Sequence, residues 1–173
     1  MNKSDLERIF ESRCRTAINY SNYRCAFFFK LNIVLCFFSL VSLWCSGYVI
    51  DGTHKTVAIV LNAFGSVMLV IDVILNLLGC YGKWKSMHDG YNSFLAEFTK
   101  THSNASVNNL EELMSRFIEF DGRCHAVYNA LGVIAWNETC VQMGKKQHVK
   151  PVPWYKRLTK NWFTWGSIAD NFK

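Results

Sequence analysis

The stretch Val57–Cys80, VAIVLNAFGSVMLVIDVILNLLGC, constrains this chain most: its 24 residues carry one formal charge, Asp72. A core helix of a water-soluble domain is seldom so long and so apolar, so the stretch reads as a membrane span. Its polar residues are ordered. Asn62, Ser66, Leu69, Asp72 and Asn76 step by 4, 3, 3 and 4, which sets four polar groups on one helical face, with Gly65 at its edge. An ionised carboxylate in hydrocarbon costs about 2.5–3.5 kcal/mol on insertion scales. Asp72 should therefore face protein or water, or be protonated. Two readings follow. Either the stripe lines a pore or joins subunits, or its members hydrogen-bond across a packed hairpin and act only as glue.

A second apolar run precedes it. Leu31–Ile50 has 20 residues and no charge, which matches a hydrocarbon core of about 30 Å at about 1.5 Å per residue. Asn32, Cys36, Ser39, Ser42 and Ser46 make a small and polar stripe with similar steps. Trp44 and Tyr48 suit an interfacial belt. The connection Asp51–Thr56 has six residues, short enough to impose an antiparallel hairpin. It holds one Lys (Lys55), whereas residues 1–30 hold six Lys or Arg, and Lys83 and Lys85 follow the second span. Both ends are thus expected in the cytoplasm. The residues placed at the membrane surface are Arg13, Arg15, Arg24, Lys30, Lys83 and Lys85.

The flanking segments read as helices. Ser4-Asp5-Leu6-Glu7 fits a capping box, with Ser4 as N-cap. From there Leu6, Phe10, Arg13, Ala17, Tyr20 and Arg24 recur at helical spacing, with no Gly or Pro before the first span. Lys83–His102 is amphipathic through Trp84, Met87, Tyr91, Phe94 and Phe98, and Gly79, Gly82 and Gly90 suggest a bend. A long helix capped by Ser106, Asn108 or Asn109 then runs to about Gly144. Leu110, Leu113, Phe117, Phe120, Cys124, Val127, Leu131 and Ile134 give it a near-heptad seam for folding back on the other helices or for joining subunits. From Lys145 onward the character changes. Pro151 and Pro153 break the helix, and seven Lys or Arg face one acid, Asp170. Trp154, Leu158, Trp162, Trp165 and Phe172 fall near one helical face, with Lys156, Arg157 and Lys160 off it. Such a segment suits a bilayer surface; the plainer reading packs its tryptophans on the helical region.

Composition excludes several classes. The net charge is +6 in 173 residues, yet no motif for nucleic acid accompanies it and the basic residues flank apolar runs, so an anionic membrane is the expected partner. Seven widely spaced cysteines without a CxxC argue against a disulfide framework or zinc site. The charged start MNKSDLERIFE lacks the apolar core of a cleavable signal peptide. The five histidines are dispersed, and Cys124 and His125, adjacent on a helix, point apart. No nucleophile elbow, phosphate loop or dinucleotide fingerprint occurs. No enzyme activity, cofactor or metal is therefore expected. Asn104-Ala-Ser106 and Asn137-Glu-Thr139 match the glycosylation pattern but fall on the cytoplasmic side of this topology.

The layout over roughly residues 5–142 is similar to that of the SLATT family: a basic N-terminal helix with Arg13, Arg15, Ala17, Tyr20 and Arg24, two spans with a very short loop, then the helical segment Leu110–Cys140. The resemblance implies an inner-membrane effector of bacterial anti-phage defence that forms a homo-oligomeric pore or disrupts the membrane in abortive infection. It also implies a nucleotide-signalling or sensor protein as partner. The expectation is an all-α membrane protein. Residues 1–144 form a two-span domain (spans about 31–50 and 57–80) with a cytoplasmic helical bundle, and residues 145–173 form a basic, aromatic tail. Asn62, Ser66, Asp72, Asn76, Ser39, Ser42 and Ser46 would line or gate the pore. The alternative is a non-conducting membrane anchor or regulator that binds a partner through its cytoplasmic helices.

Overall fold

The computed structural model describes residues 3–49, 55–101, 107–122 and 129–162, and every element among them is helical. The order is α1 (Lys3–Val49), α2 (Lys55–Leu75), α3 (Leu77–Thr101), α4 (Val107–Asp121), α5 (Asn129–Gln142), a short 3₁₀ turn (Lys146–His148) and α6 (Trp154–Leu158). Two stretches, Lys3–Gly47 and Lys55–Lys100, are long and apolar enough to cross a membrane. Their most apolar windows are only 17 % and 11 % buried, the opposite of a soluble core helix.

α1 is 47 residues long. No Gly or Pro interrupts it before Gly47, so nothing removes a ladder hydrogen bond. It is already helical at Lys3, which puts Ser4 inside the helix rather than at its cap. The chain divides into two compact units, one of residues 1–24 with 84–173 and one of residues 25–83. This division by packing cuts both long helices and differs from the compositional boundary at residue 144.

The first unit has an aromatic core. Phe10 of α1 meets Phe98 of α3 at 5.1 Å between ring centroids and Phe117 of α4 at 5.6 Å. Tyr91 packs edge-on against Phe120 at 5.2 Å. Each such pair adds about 0.5–1.5 kcal/mol to the burial of the rings. The buried residues Trp84, Met87, Tyr91 and Phe98 are the face anticipated for α3, and Leu110, Leu113 and Phe117 that for α4. Several polar groups inside are paired: Asn19 Nδ2 donates to Thr139 Oγ1 at 3.1 Å, and Thr139 Oγ1 donates to Ala135 O at 3.0 Å. Tyr91 donates its hydroxyl to Asp121 at 2.7 Å.

Three expectations change. The single long helix to Gly144 is replaced by α4, which ends at Asp121 with Gly122 in a turn, and α5; residues 123–128, with Cys124 and Val127, lie outside the described residues. Continuous span 57–80 is also interrupted. Asn76 takes a left-handed φ of 44°, a conformation that Asn tolerates better than other side chains. α2 closes there with an Asn76 N–H to Val73 O bond of 3.2 Å, and α3 opens with Cys80 N–H to Asn76 O at 2.9 Å. Finally, the tail helix is short. α6 has five residues and ends at Leu158, because turn bonds follow it, including Trp162 N–H to Thr159 O at 3.0 Å.

Candidate functional site

The polar stripes meet within the unit of residues 25–83. Ser39, Ser42 and Ser46 of α1 are buried. Gly65 of α2 is buried too, and a Cβ there would lie 3.1 Å from Ser42 Cβ and 3.2 Å from Ser39 O. Small residues on both helices let the backbones come this close. At one end of the seam Asn32 Nδ2 donates to both oxygens of Asp72, at 3.1 and 3.2 Å. At the other, Ser46 Oγ lies 2.7 Å from Leu43 O and 3.2 Å from Asn62 Oδ1, and its one proton serves either acceptor. Going up α1, the partners go down α2, so the hairpin is antiparallel.

Not every stripe member joins the seam. Ser66 is exposed, Asn62 is exposed despite its bond, and Asp72 is half-buried. Asn76, expected on the stripe, instead sits at the helix break. Its Oδ1 accepts the Gly79 N–H at 3.3 Å, and a Cβ on Gly79 would fall 2.4 Å from its amide nitrogen. Asn32 belonged to the first stripe, but its role as donor to Asp72 was not anticipated.

The outer face of the hairpin is apolar. Val73 is 77 % exposed, Ile74 74 % and Trp44 66 %, among many others. Uncovered apolar patches of this extent mark a surface that something must cover.

The residues expected at a membrane surface separate into two groups. Arg13, Lys30, Lys83, Trp154, Arg157 and Trp162 are exposed, as is Lys85, which pairs with Asp89 at 2.8 Å. Arg15 pairs with Glu11 at 2.9 Å. Arg24 and Lys156 correct the expectation. Arg24 is 5 % exposed, with Nη1 donating to Asn161 O at 3.0 Å and its guanidinium 5.5 Å from the Trp84 ring. Lys156 is buried. Arg24 is held where the tail returns to α1, as is Lys160, whose Nζ lies 4.1 Å from the Tyr23 ring. Trp165 and Phe172 lie outside the described residues. The Asn137-Glu-Thr139 site is engaged elsewhere: Asn137 exchanges hydrogen bonds with the backbone of Lys150 at 2.6 and 2.8 Å, and Thr139 is buried.

Two thiols of the first unit, Cys14 and Cys140, are raised above the ordinary thiol value. Burial pushes Cys14 up to about 12, against the pull of Arg15, and raises Cys140. Tyr23 is raised by burial and by its contact with the Glu138 carboxylate. Among the described residues no group of three or more His, Cys, Asp or Glu side chains is placed to hold a metal ion. No protein-family model, curated protein or solved structure matches this chain.

Proposed function

We propose that this chain is a bacterial inner-membrane protein that crosses the bilayer twice, with both termini cytoplasmic, and that its hairpin anchors a cytoplasmic helical bundle able to bind another protein. The observation that carries this reading is the apolar outer face of the hairpin, with Val73, Ile74 and Trp44 largely exposed. Water would oppose that exposure by about 25 cal/mol per Å², and acyl chains remove the opposition. The low Lys and Arg content of the 51–56 connection supports the orientation. In this reading the Asn32–Asp72 and Ser46–Asn62 pairs hold the hairpin together, and the basic, Trp-rich tail lies at the bilayer surface. The test is membrane extraction with alkaline carbonate combined with reporter fusions. The protein should stay in the pellet, a phosphatase fused near Gly52 should be active, and one fused after Lys173 should be silent. Release into the supernatant ends the proposal.

A second reading, a SLATT-like pore-forming effector that kills or arrests the infected cell, rests on a different observation. Asn32 is the one described hydrogen-bond donor to Asp72, so the carboxylate keeps acceptor capacity, and Ser66 is exposed beside the seam. One pair of helices encloses no water path, so conduction requires several copies, whose carboxylates would form a cation-favouring ring. Membrane potential, followed with a voltage-sensitive dye after induced expression, tests it. A pore through Asp72 depolarises the cell in wild type and less in Asp72→Asn. Wild-type protein in the membrane without depolarisation leaves the anchor.

A further inference from the structure

The described residues of the helical unit of residues 1–24 and 84–173 line a hollow. A cavity of about 520 Å³ opens between α1, α3, α4 and α5, a volume within the range of small-molecule sites. Tyr20, Tyr91, Phe117 and Trp136 line it together with Arg13. One acid also lines it: Asp121, which accepts the Tyr91 hydroxyl at 2.7 Å and keeps its charge, so an anionic group is favoured only on the Arg13 side. Beside it a second hollow of about 420 Å³ is lined by Arg8, Arg13 and Lys145 with the single acid Asp5. Arg13 and Trp136 line both hollows, so the aromatic cavity and the cationic one share a wall. Arg13 is exposed and makes no ion pair among the described residues.

We propose that this double hollow binds a small organic anion with a planar apolar body. The ring system lies in the aromatic cavity against Trp136, and the anionic group (a phosphate, sulfonate or carboxylate) is held by Arg13 with Arg8 and Lys145 behind it. An arginine can offer two parallel N–H groups to such an anion. A ligand without charge would leave the three cations unused, and an inorganic anion would leave the aromatic cavity empty. An organic cation would meet Arg13 at the shared wall. The planar body points to a soluble aromatic anion rather than a lipid headgroup, and the inference does not depend on the hairpin reading.

The experiment titrates 1-naphthyl phosphate calorimetrically into the full chain in phosphatidylcholine nanodiscs, with empty discs as blank. One saturable site is expected. Arg13→Gln should weaken it by about tenfold or more, and because Arg13 is exposed the variant should keep its helical circular dichroism. Ile118→Trp, which projects a ring into the cavity, should abolish binding, whereas 1-naphthylmethylamine, the same ring with a positive charge, should not compete. No saturable heat, an Arg13→Gln protein that binds as well as wild type, or effective competition by the amine overturns the proposal. A repeat in discs containing phosphatidylglycerol should leave the affinity unchanged; displacement would show that the cationic hollow takes a lipid phosphate and would overturn the planar-body assignment.

Discussion

Cys14 is fully buried on α1, its thiol 3.2 Å from the backbone carbonyl of Tyr91. A thiolate there would lose its water, and burial raises the thiol from 9.0 to about 12 against the lowering pull of Arg15 and of a backbone hydrogen bond at Leu95. The sign of the linkage follows. Below about pH 9 both folded and unfolded chains keep the proton, and stability is unaffected. Above it the unfolded chain ionises first, so stability falls as pH rises towards the folded value. At about pH 10.5 the loss from this one group is about 2 kcal/mol. Denaturant midpoints in detergent at about pH 8 and pH 10.5 should therefore draw apart more in wild type than in Cys14→Ala. Tyr23 and Cys140, also raised, are common to both proteins and cancel. Equal falls would mean that the folded chain lets the thiol ionise. At this scale the sequence was legible for apolar side chains and less so for cations. Helical periodicity places Arg24 on a face, but nothing local tells whether that face meets lipid or is covered by a backbone carbonyl 137 residues later.

α3 owes its seat against α4 to a missing side chain. A Cβ on Gly90 would lie 2.3 Å from Phe120 Cζ, so the Phe120 ring occupies the space that a methyl group would need. Gly90→Ala gains about 1 kcal/mol of helix propensity and loses about 1–3 kcal/mol to overpacking. The expected outcome is a lower melting temperature in the wild-type background and an unchanged or higher one in a Phe120→Ala background. A double-mutant cycle reads this coupling directly; additivity would show that Phe120 swings away freely. The glycine was visible in the sequence as a helix-weakening residue, but its service to a ring on another helix was not. The same limit explains the break at Asn76. Gly79 and Gly82 drew attention as weak points, whereas the chain breaks at the residue whose amide oxygen can accept the freed Gly79 N–H. The apolar faces of α3 and α4 followed from a period of 3.6, a property of each element alone. Where α4 stops, and that α6 lasts only five residues, depend on contacts between elements.

For the whole molecule the question is whether the polar seam belongs to one chain or is shared among several. The pairs themselves suggest an answer that the sequence contained. In an antiparallel hairpin, residues equidistant from the turn face one another, and Asn32 and Asp72 are equidistant from Gly52. Ser46 and Asn62 reflect about position 54, two residues further on, so both pairs centre within the 51–56 connection and the two stripes can pair inside a single chain. The consequence can be measured. With Ser46→Cys and Asn62→Cys in a background whose native cysteines are replaced, oxidation should form a disulfide within one chain. Their present side-chain oxygens are 3.2 Å apart, close enough for a small backbone adjustment to bring two sulfurs together. That product should run as a compact monomer on non-reducing gels and should persist when the protein is diluted with lipid, because an intramolecular bond has no concentration dependence. A seam shared between subunits behaves otherwise: oxidation then yields dimers, and their yield falls as lipid separates the copies. The monomer keeps the seam within one chain, so that any pore would have to be built from intact hairpins set side by side, each with its Asp72 bound to its own Asn32.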